Sequence, residues 1–309
     1  MNDTRSSSKL VVVILNWNKC QDTIDCVRAL EKQDMSDFSI LVVDNGSRDG
    51  SAEILRSTFP ELTIICNSTN LGYAGGNNVG IRAALDGGAD LVLLLNNDAF
   101  PEPDFLRTLV QAARTDDKAA ALGGKVIWDV EPPRLWGAYG LITYHANIVR
   151  IEGWMAEDIS AFSEPKQVDF VIGCGIMMTR RALEDVGLLD EDYFAYHEDA
   201  DWCLRAKQKG YHILYIPDAM LRHKGSHSTG GGYRSPIMYF GARNSVLFAK
   251  KHATLLQLVA FACFFGWDFV KETTRFLLRR PHCALPLKLA GAIDGVLGNH
   301  PPLKRLGLE

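Results

Sequence analysis

Polar residues able to do chemistry stand directly after apolar runs in this chain. Asn16 ends LVVVILN, Asp44 and Asn45 follow FSILVV, and Asn97 and Asp98 follow LVLLLN. In an open α/β sheet, ligands bind beyond the carboxyl ends of the strands, so these positions would border a ligand. Asp44 can accept hydrogen bonds from a nucleobase or ribose, or cap the next helix through an Asx-turn. Asp98 can hold a hard cation if substrate phosphates and water complete the shell, or cap the helix after PEPDF. NLGYAGGNNVG sets Gly72, Gly76, Asn77 and Asn78 before or within a helix, where glycine permits close backbone approach and free N–H groups favour an anion.

Farther along, HEDADWCLRA sets Glu198 and Asp199 side by side. A general base needs a poorly hydrated carboxylate within reach of a hydroxyl, and this pair is the best candidate by type. A helix dipole would favour the same acids without catalysis. Neighbouring helical positions diverge by about 100°, so only one of the two is expected to face a given pocket. Asp201 and Arg205 read as an i, i+4 ion pair. His223 in RHKGSH is a structural imidazole unless its company makes it a metal partner, since the glycines after it do not suit a zinc helix. The following SHSTGGGYR, Ser226 to Arg234, is expected to order over a bound nucleotide with Arg234 near its phosphates.

Positioning these residues requires strands alternating with helices. LVVVILN, FSILVV, Leu62–Cys66 and LVLLL read as strands buried on both faces, separated by helices at Asp22–Gln33, Gly50–Phe59 and Asn77–Leu85. That alternation implies βαβ units and a parallel sheet. A helix over Asp104–Thr115 follows. VDFVIGCGIMMTRRALEDVG reads as strand, glycine turn and helix, and HILYIP as a further strand. The Pro, Trp and Tyr-rich stretch up to Trp154 has no periodicity. The first strand leads into no G-x-G-x-x-G, which argues against a dinucleotide-binding dehydrogenase.

The chain has 309 residues and a net charge of −4, a balance that argues against a nucleic-acid partner. From Arg243 onward, ten Lys or Arg oppose four Asp or Glu, so the tail carries +6 and the remainder −10. The seven cysteines include no C-x-x-C pair, and no apolar leader precedes the first strand, so a reducing cytosol is expected. The apolar run Ala253–Trp267 is shorter than the roughly 20 residues of a membrane span. Its stripe suits three partners: the lipid interface at the inner face of the membrane, the catalytic domain, or a second copy in a homo-oligomer.

Together these motifs resemble the family 2 inverting glycosyltransferases of the GT-A fold, especially the branch similar to bacterial rhamnosyltransferases. The likeness runs from about Lys9 to Lys251. It implies that VVVILNWN opens the nucleotide-binding half, that Asp44 contacts the base, and that NLGYAGGNNVGI is the N-x-G-x-A-x-x-N-x-G segment. LLLNNDAF stands where a D-x-D metal motif is found, with Asp98 its only carboxylate. Asp199 is then the base, His223 accompanies the metal and diphosphate, and YFGARN, Tyr239 to Asn244, resembles a further family segment. The implied fold is α/β, a mixed, mainly parallel sheet flanked by helices, with residues 1–100 binding the nucleotide sugar and 101–235 the acceptor. Residues 236–309 form a helical, basic extension. The implied reaction moves a sugar, rhamnose from dTDP-rhamnose, to a hydroxyl of a glycan carried on polyprenyl diphosphate, with Mg²⁺ or Mn²⁺ as cofactor. A sugar nucleotidyltransferase would instead need a Gly-rich triphosphate loop after the first strand. A non-catalytic polysaccharide-binding protein would not need Asp98, Asp199 and His223 together.

Overall fold

The computed structural model describes residues 9–157, 160–225, 235–278 and 283–309, so the Ser226–Arg234 loop with Arg234, and the cations Arg279 and Arg280, lie outside the described residues. The chain opens with β1 (Leu10–Asn16), α1 (Cys20–Leu30), β2 (Phe38–Asp44), α2 (Ser51–Thr58), β3 (Thr63–Cys66), α3 (Gly72–Asp86) and β4 (Leu91–Asn96). These strands are parallel, in the order β4-β1-β2-β3. Alternate residues of β1 bury on opposite sides, Val11 and Val13 with Val43 and Ile81, and Leu10, Val12 and Ile14 with Leu93 and Leu106. With both faces covered, the strand must be apolar throughout, and each such side chain contributes about 1.5–3 kcal/mol.

Helix α3 starts five residues ahead of the expected Asn77. A Cβ on Gly80 would stand 2.3 Å from Val13 Cγ1, and one on Gly76 2.5 Å from Leu15 Cδ1. These glycines sit one turn apart and let the helix lie close against β1. Their place is therefore against the sheet, where the sequence reading had them approach an anion.

The second half contains β5 (Ala99–Pro101), α4 (Phe105–Thr115), β6 (Ala119–Trp128), β7 (Leu135–Gly137), β8 (Gly140–Ile142), β9 (Val149–Ile151), β10 (Lys166–Gln167), β11 (Gly175–Thr179), α5 (Arg180–Val186), α6 (Glu198–Gln208) and β12 (His212–His223). The main sheet runs β10-β12-β6-β11-β4-β1-β2-β3, with β5 on β12 and β7 on β6. β11 is antiparallel to both neighbours, so the sheet is mixed. The order strand, glycine turn, helix is not what forms over Val168–Gly187: the strand is β11, which begins at the second glycine, Gly175, after the Gly173 turn. Running antiparallel, β11 starts where β4 ends, and Asn96 donates to Cys174 O at 3.0 Å. This brings the Gly173 turn beside Asn97 and Asp98.

β12 is twice as long as HILYIP. Pro217 cannot donate to a ladder, and the register against β6 shifts between Ile216 and Met220 before pairing resumes as far as His223. The chain ends in α7 (Pro236–His252), α8 (Leu255–Leu277), α9 (Leu285–Leu297) and the short α10 (Leu303–Leu306). Phe261 and Phe265 of α8 join the core beside Phe248. The opposite side of α8 is apolar and exposed, with Leu256 at 83% and Trp267 at 59%.

Candidate active site

Parallel pairing sets Asn16 beside Asp44. Asn16 Nδ2 donates to Asp44 Oδ1 at 2.7 Å, and the Ser47 N–H to Asp44 Oδ2 at 3.1 Å. Thr23 Oγ1 donates to Asn16 Oδ1, and Asn97 Nδ2 to Thr23 Oγ1. This chain of bonds ties the ends of β1, β2 and β4 together. Asp44, 3% exposed, is turned into the β2 turn and does not line the cavity.

That cavity, of about 640 Å³, opens along the sheet edge and is bordered by Asn45, Gly72, Asn97, Asp98, Glu198, Asp199 and His223. Asn16, Gly76, Asn77 and Asn78 do not border it. Asn78 exchanges hydrogen bonds with the Leu189 backbone and reaches Glu191, so it clasps α3 to the segment before α6. Asn77 donates to Tyr73 O within its own helix.

Both acids of the pair border the cavity, against the expectation that only one would. They stand at the first two positions of α6, where the chain arrives through Phe194, Tyr196 and His197, all with positive φ. Non-glycine residues in that region cost about 1–3 kcal/mol each and need an external hold. Asn244 supplies it, its amide nitrogen lying 3.0, 2.8 and 2.8 Å from the carbonyls of Tyr193, Ala195 and Tyr196. Arg243 donates to Asp192 O at 2.7 Å. The YFGARN segment thus clamps the loop that presents the acids.

Glu198 and Asp199 differ in surroundings. Asp199 Oδ2 accepts from the Gly173 N–H at 3.0 Å and Oδ1 from the Ala200 N–H at 2.8 Å. Among the described residues, Glu198 Oε2 is buried with no partner. Burial, and then the charge of Asp199, hold the Glu198 carboxyl well above the usual range. Burial also raises Asp199, but the two backbone N–H groups oppose it. Of the two, Asp199 is thus the better placed to carry charge and Glu198 to keep a proton.

Tyr73, absent from the sequence reading, completes the hold: its hydroxyl donates to Gly173 O at 2.6 Å while the Gly173 N–H donates to Asp199. Its position in NLGYAGG was its only signal. The third acid, Asp201, faces inward. Burial would raise it, yet hydrogen bonds from His252 at 2.7 Å and Arg205 at 2.8 Å hold it below the usual carboxylate range. His197, whose Nε2 lies 3.1 Å from Asn147 O, is kept neutral, burial lowering its pKa to about 4. Burial raises the Cys174 thiol, so it is no ready nucleophile.

β12 delivers His223 beside Ala99. Its Nε2 lies 3.0 Å from Asp98 Oδ1, both residues are buried, and its Nδ1 is a buried nitrogen without a partner among the described residues. A carboxylate oxygen from the turn after β4 and an imidazole Nε2 from the end of β12, 3.0 Å apart, are donors that fit a divalent cation such as Mn²⁺ or Mg²⁺ held between them. Among the described residues no cluster of three or more His, Cys, Asp or Glu is placed to hold a metal, so a ligand's oxygens would complete the shell.

Residues 11–187 match the model of glycosyl transferase family 2. The chain belongs to that family. The glycosyltransferase is 27% identical over 263 residues to the dTDP-rhamnosyl transferase RfbF of Shigella flexneri, covering 81% of this chain and 83% of that one. It is 29% identical over 236 residues to the N-acetylglucosaminyl-diphospho-decaprenol L-rhamnosyltransferase of Mycobacterium tuberculosis (strain CDC 1551 / Oshkosh), covering 70% and 76%. Its fold is that of GT-A enzymes: it superposes on GalNAc-T7, solved with UDP, GalNAc and Mn²⁺, with a TM-score of 0.62 at 13% identity, over 90% of this chain and 59% of that one.

Proposed function

We propose that this glycosyltransferase moves rhamnose from dTDP-rhamnose to a hydroxyl of a glycan carried on a polyprenyl diphosphate, with inversion at the anomeric carbon. The observation that carries the chemistry is Asp199, a carboxylate bordering the cavity and held by two backbone N–H groups, beside a Glu198 whose Oε2 has no partner among the described residues. Asp199 takes the proton of the acceptor hydroxyl as that oxygen bonds to the anomeric carbon, and the bond to the diphosphate breaks with its electrons passing to the phosphate oxygen. One displacement inverts the centre. Burial and the neighbouring Asp199 charge disfavour ionisation of Glu198, which makes it a poor nucleophile for a second.

Asp98 and His223 would hold a divalent cation, which when bound supplies Lewis-acid stabilisation to the leaving diphosphate. The nucleotide lies on the β1–β3 side, where Trp17, Asn45, Asn70 and Gly72 border the cavity, and Asp44 supports it from the turn below. Arg234 is assigned to the diphosphate. Residues 1–100 are the donor half, 101–235 the acceptor half and 236–309 a membrane-facing extension. The two rhamnosyltransferase relatives support the donor, and the decaprenol-linked compound in one of their names supports the acceptor.

Among the described residues no helix is long and apolar enough to cross a membrane. The outward side of α8, with Leu255, Leu256, Val259 and Trp267, continues into exposed Ile293, Val296 and Leu297 of α9, and we assign this surface to the cytosolic lipid interface. Several flanking cations are already engaged, Lys251 with Asp190 and Asp192, Lys250 with Val296 O and Arg275 with Glu272. Attachment therefore rests more on apolar contact than on charge. Turnover with a panel of nucleotide sugars tests the reaction. Preferred release of dTDP from dTDP-rhamnose supports it, and either no turnover with any donor or pyrophosphate release from a nucleoside triphosphate and a sugar phosphate overturns it.

A further inference from the structure

Three tryptophans that no part of the reaction above uses meet at one wall of the cavity. Trp136 and Trp154 both border it, their ring centroids 4.8 Å apart and their planes at 78°. Trp128 stands behind, 6.3 Å from Trp136 and 6.1 Å from Trp154. The rings are fixed by backbone: the Leu135 N–H donates to Ala156 O at 2.9 Å and the Ala138 N–H to Glu152 O at 2.9 Å, which holds β7 against the turn carrying Trp154. That turn passes through Gly153 and Met155, both with positive φ.

Two features separate this cluster from ordinary core. Trp154 is 53% exposed, although a large aromatic ring is favoured inside. The indole nitrogens of Trp128 and Trp136 are both buried without a hydrogen-bond partner among the described residues, and of these two rings it is Trp136 that borders the cavity. A buried, unpaired N–H beside an exposed ring, in a cavity that also holds the reacting groups, is the arrangement of a site awaiting a ligand with both an apolar face and a hydroxyl. A pyranose has both: its C–H face stacks on an aromatic ring, and its hydroxyl or ring oxygen accepts an N–H.

Sheet order says which sugar. The nucleotide side is built on β1–β3, while β7 hangs from β6, on the other side of β4 and β11. Asp98, which follows β4, lies between them, and His223, at the end of β12 on the far side of β6, has its ring 5.6 Å from that of Trp136. A sugar in the Trp136–Trp154 corner thus meets the reacting centre from the side opposite the nucleotide. We propose that this corner is the acceptor-sugar subsite, with the pyranose ring stacked on Trp154 and hydrogen-bonded by Trp136 Nε1. The inference rests on the transferase reading for its name, since a sugar bound there is an acceptor only if the nucleotide side holds a donor.

Saturation-transfer NMR with the methyl glycosides of N-acetylglucosamine, glucose, galactose, mannose and rhamnose, in the presence of Mn²⁺ and saturating dTDP-rhamnose or UDP-glucose, tests it on the full chain. At least one glycoside should bind with the nucleotide sugar in place. Trp154→Ala should weaken it roughly tenfold and Trp136→Phe, which keeps a ring but loses the N–H, several-fold. Nucleoside diphosphate affinity, titrated on each variant in the absence of nucleotide sugar, confirms that the variants are folded. No glycoside binding, binding indifferent to both substitutions, or binding displaced by the nucleotide sugar would each overturn the proposal. Absence of nucleotide binding with Trp154-dependent glycoside binding intact would instead refute the donor assignment and leave a saccharide site standing.

Discussion

Replacing Asn244 with alanine should disable the enzyme without touching a reacting group. Its amide serves the carbonyls of Tyr193, Ala195 and Tyr196, directly before Glu198 and Asp199. An orphaned buried acceptor costs roughly 1–3 kcal/mol, so losing two N–H donors should cost about 3 kcal/mol. With an unfolding entropy of about 2.1 cal/mol/K per residue over 309 residues, Tm should fall by roughly 5 °C. The larger effect is kinetic. Phe194, Tyr196 and His197 hold positive φ only while the clamp is present, and their relaxation moves Glu198 and Asp199. A displacement of about 1 Å costs on the order of 100-fold in rate. Differential scanning calorimetry and steady-state kinetics read the two effects together. A variant with unchanged Tm and kcat within twofold of the parent would refute the claim that Asn244 shapes the site.

Glu198 and Asp199 both have raised pKa values, so their environment opposes ionisation and the folded state is penalised as pH rises through those values. Glu198→Gln should therefore raise Tm at neutral and alkaline pH relative to the parent, with little gain below pH ~4, and it should reduce kcat only modestly. The rate should rise with pH as Asp199 loses its proton, through a limb above the ordinary carboxylate range, and Asp199→Asn should remove that limb from what activity is left. Chelation with EDTA should suppress turnover and Mn²⁺ or Mg²⁺ restore it, with Asp98→Asn needing more metal for half-activation; full turnover in a metal-free assay would count against the assignment of Asp98 and His223. Liposomes of anionic lipid should carry the full chain upward on flotation, and Leu256→Glu with Trp267→Glu should abolish this while the protein stays folded. Parent protein remaining at the bottom at low salt would remove the membrane assignment alone.

The first four strands were legible because buried parallel strands must be apolar throughout, which marks their ends and hence Asn16, Asp44 and Asp98. What lay hidden depends on contacts distant in sequence. Gly76 and Gly80 carry the same letters whether they meet phosphate or Leu15 and Val13, and only the closeness of α3 to β1 decides. The direction of β11 could not be read from GIMMT, since a strand buried on both faces looks the same either way. Pro217 disguised the length of β12 by ending its apparent pattern at a bulge. Trp128, Trp136 and Trp154 lie in a stretch without periodicity, and a hairpin brings them together. The motif around Asn244 was recognisable, but its work on Tyr193, Ala195 and Tyr196 is visible only once the chain is folded.

Which carboxylate takes the acceptor proton decides the mechanism. Isothermal titration of Asp199→Asn with nucleoside diphosphate and Mn²⁺, alongside its kcat, addresses this directly. The expected result is nucleotide affinity within about twofold of the parent and a kcat lower by on the order of 10²–10⁴, with Glu198→Gln far less affected. Near-normal turnover by Asp199→Asn, or loss of turnover by Glu198→Gln with Asp199→Asn active, would contradict it.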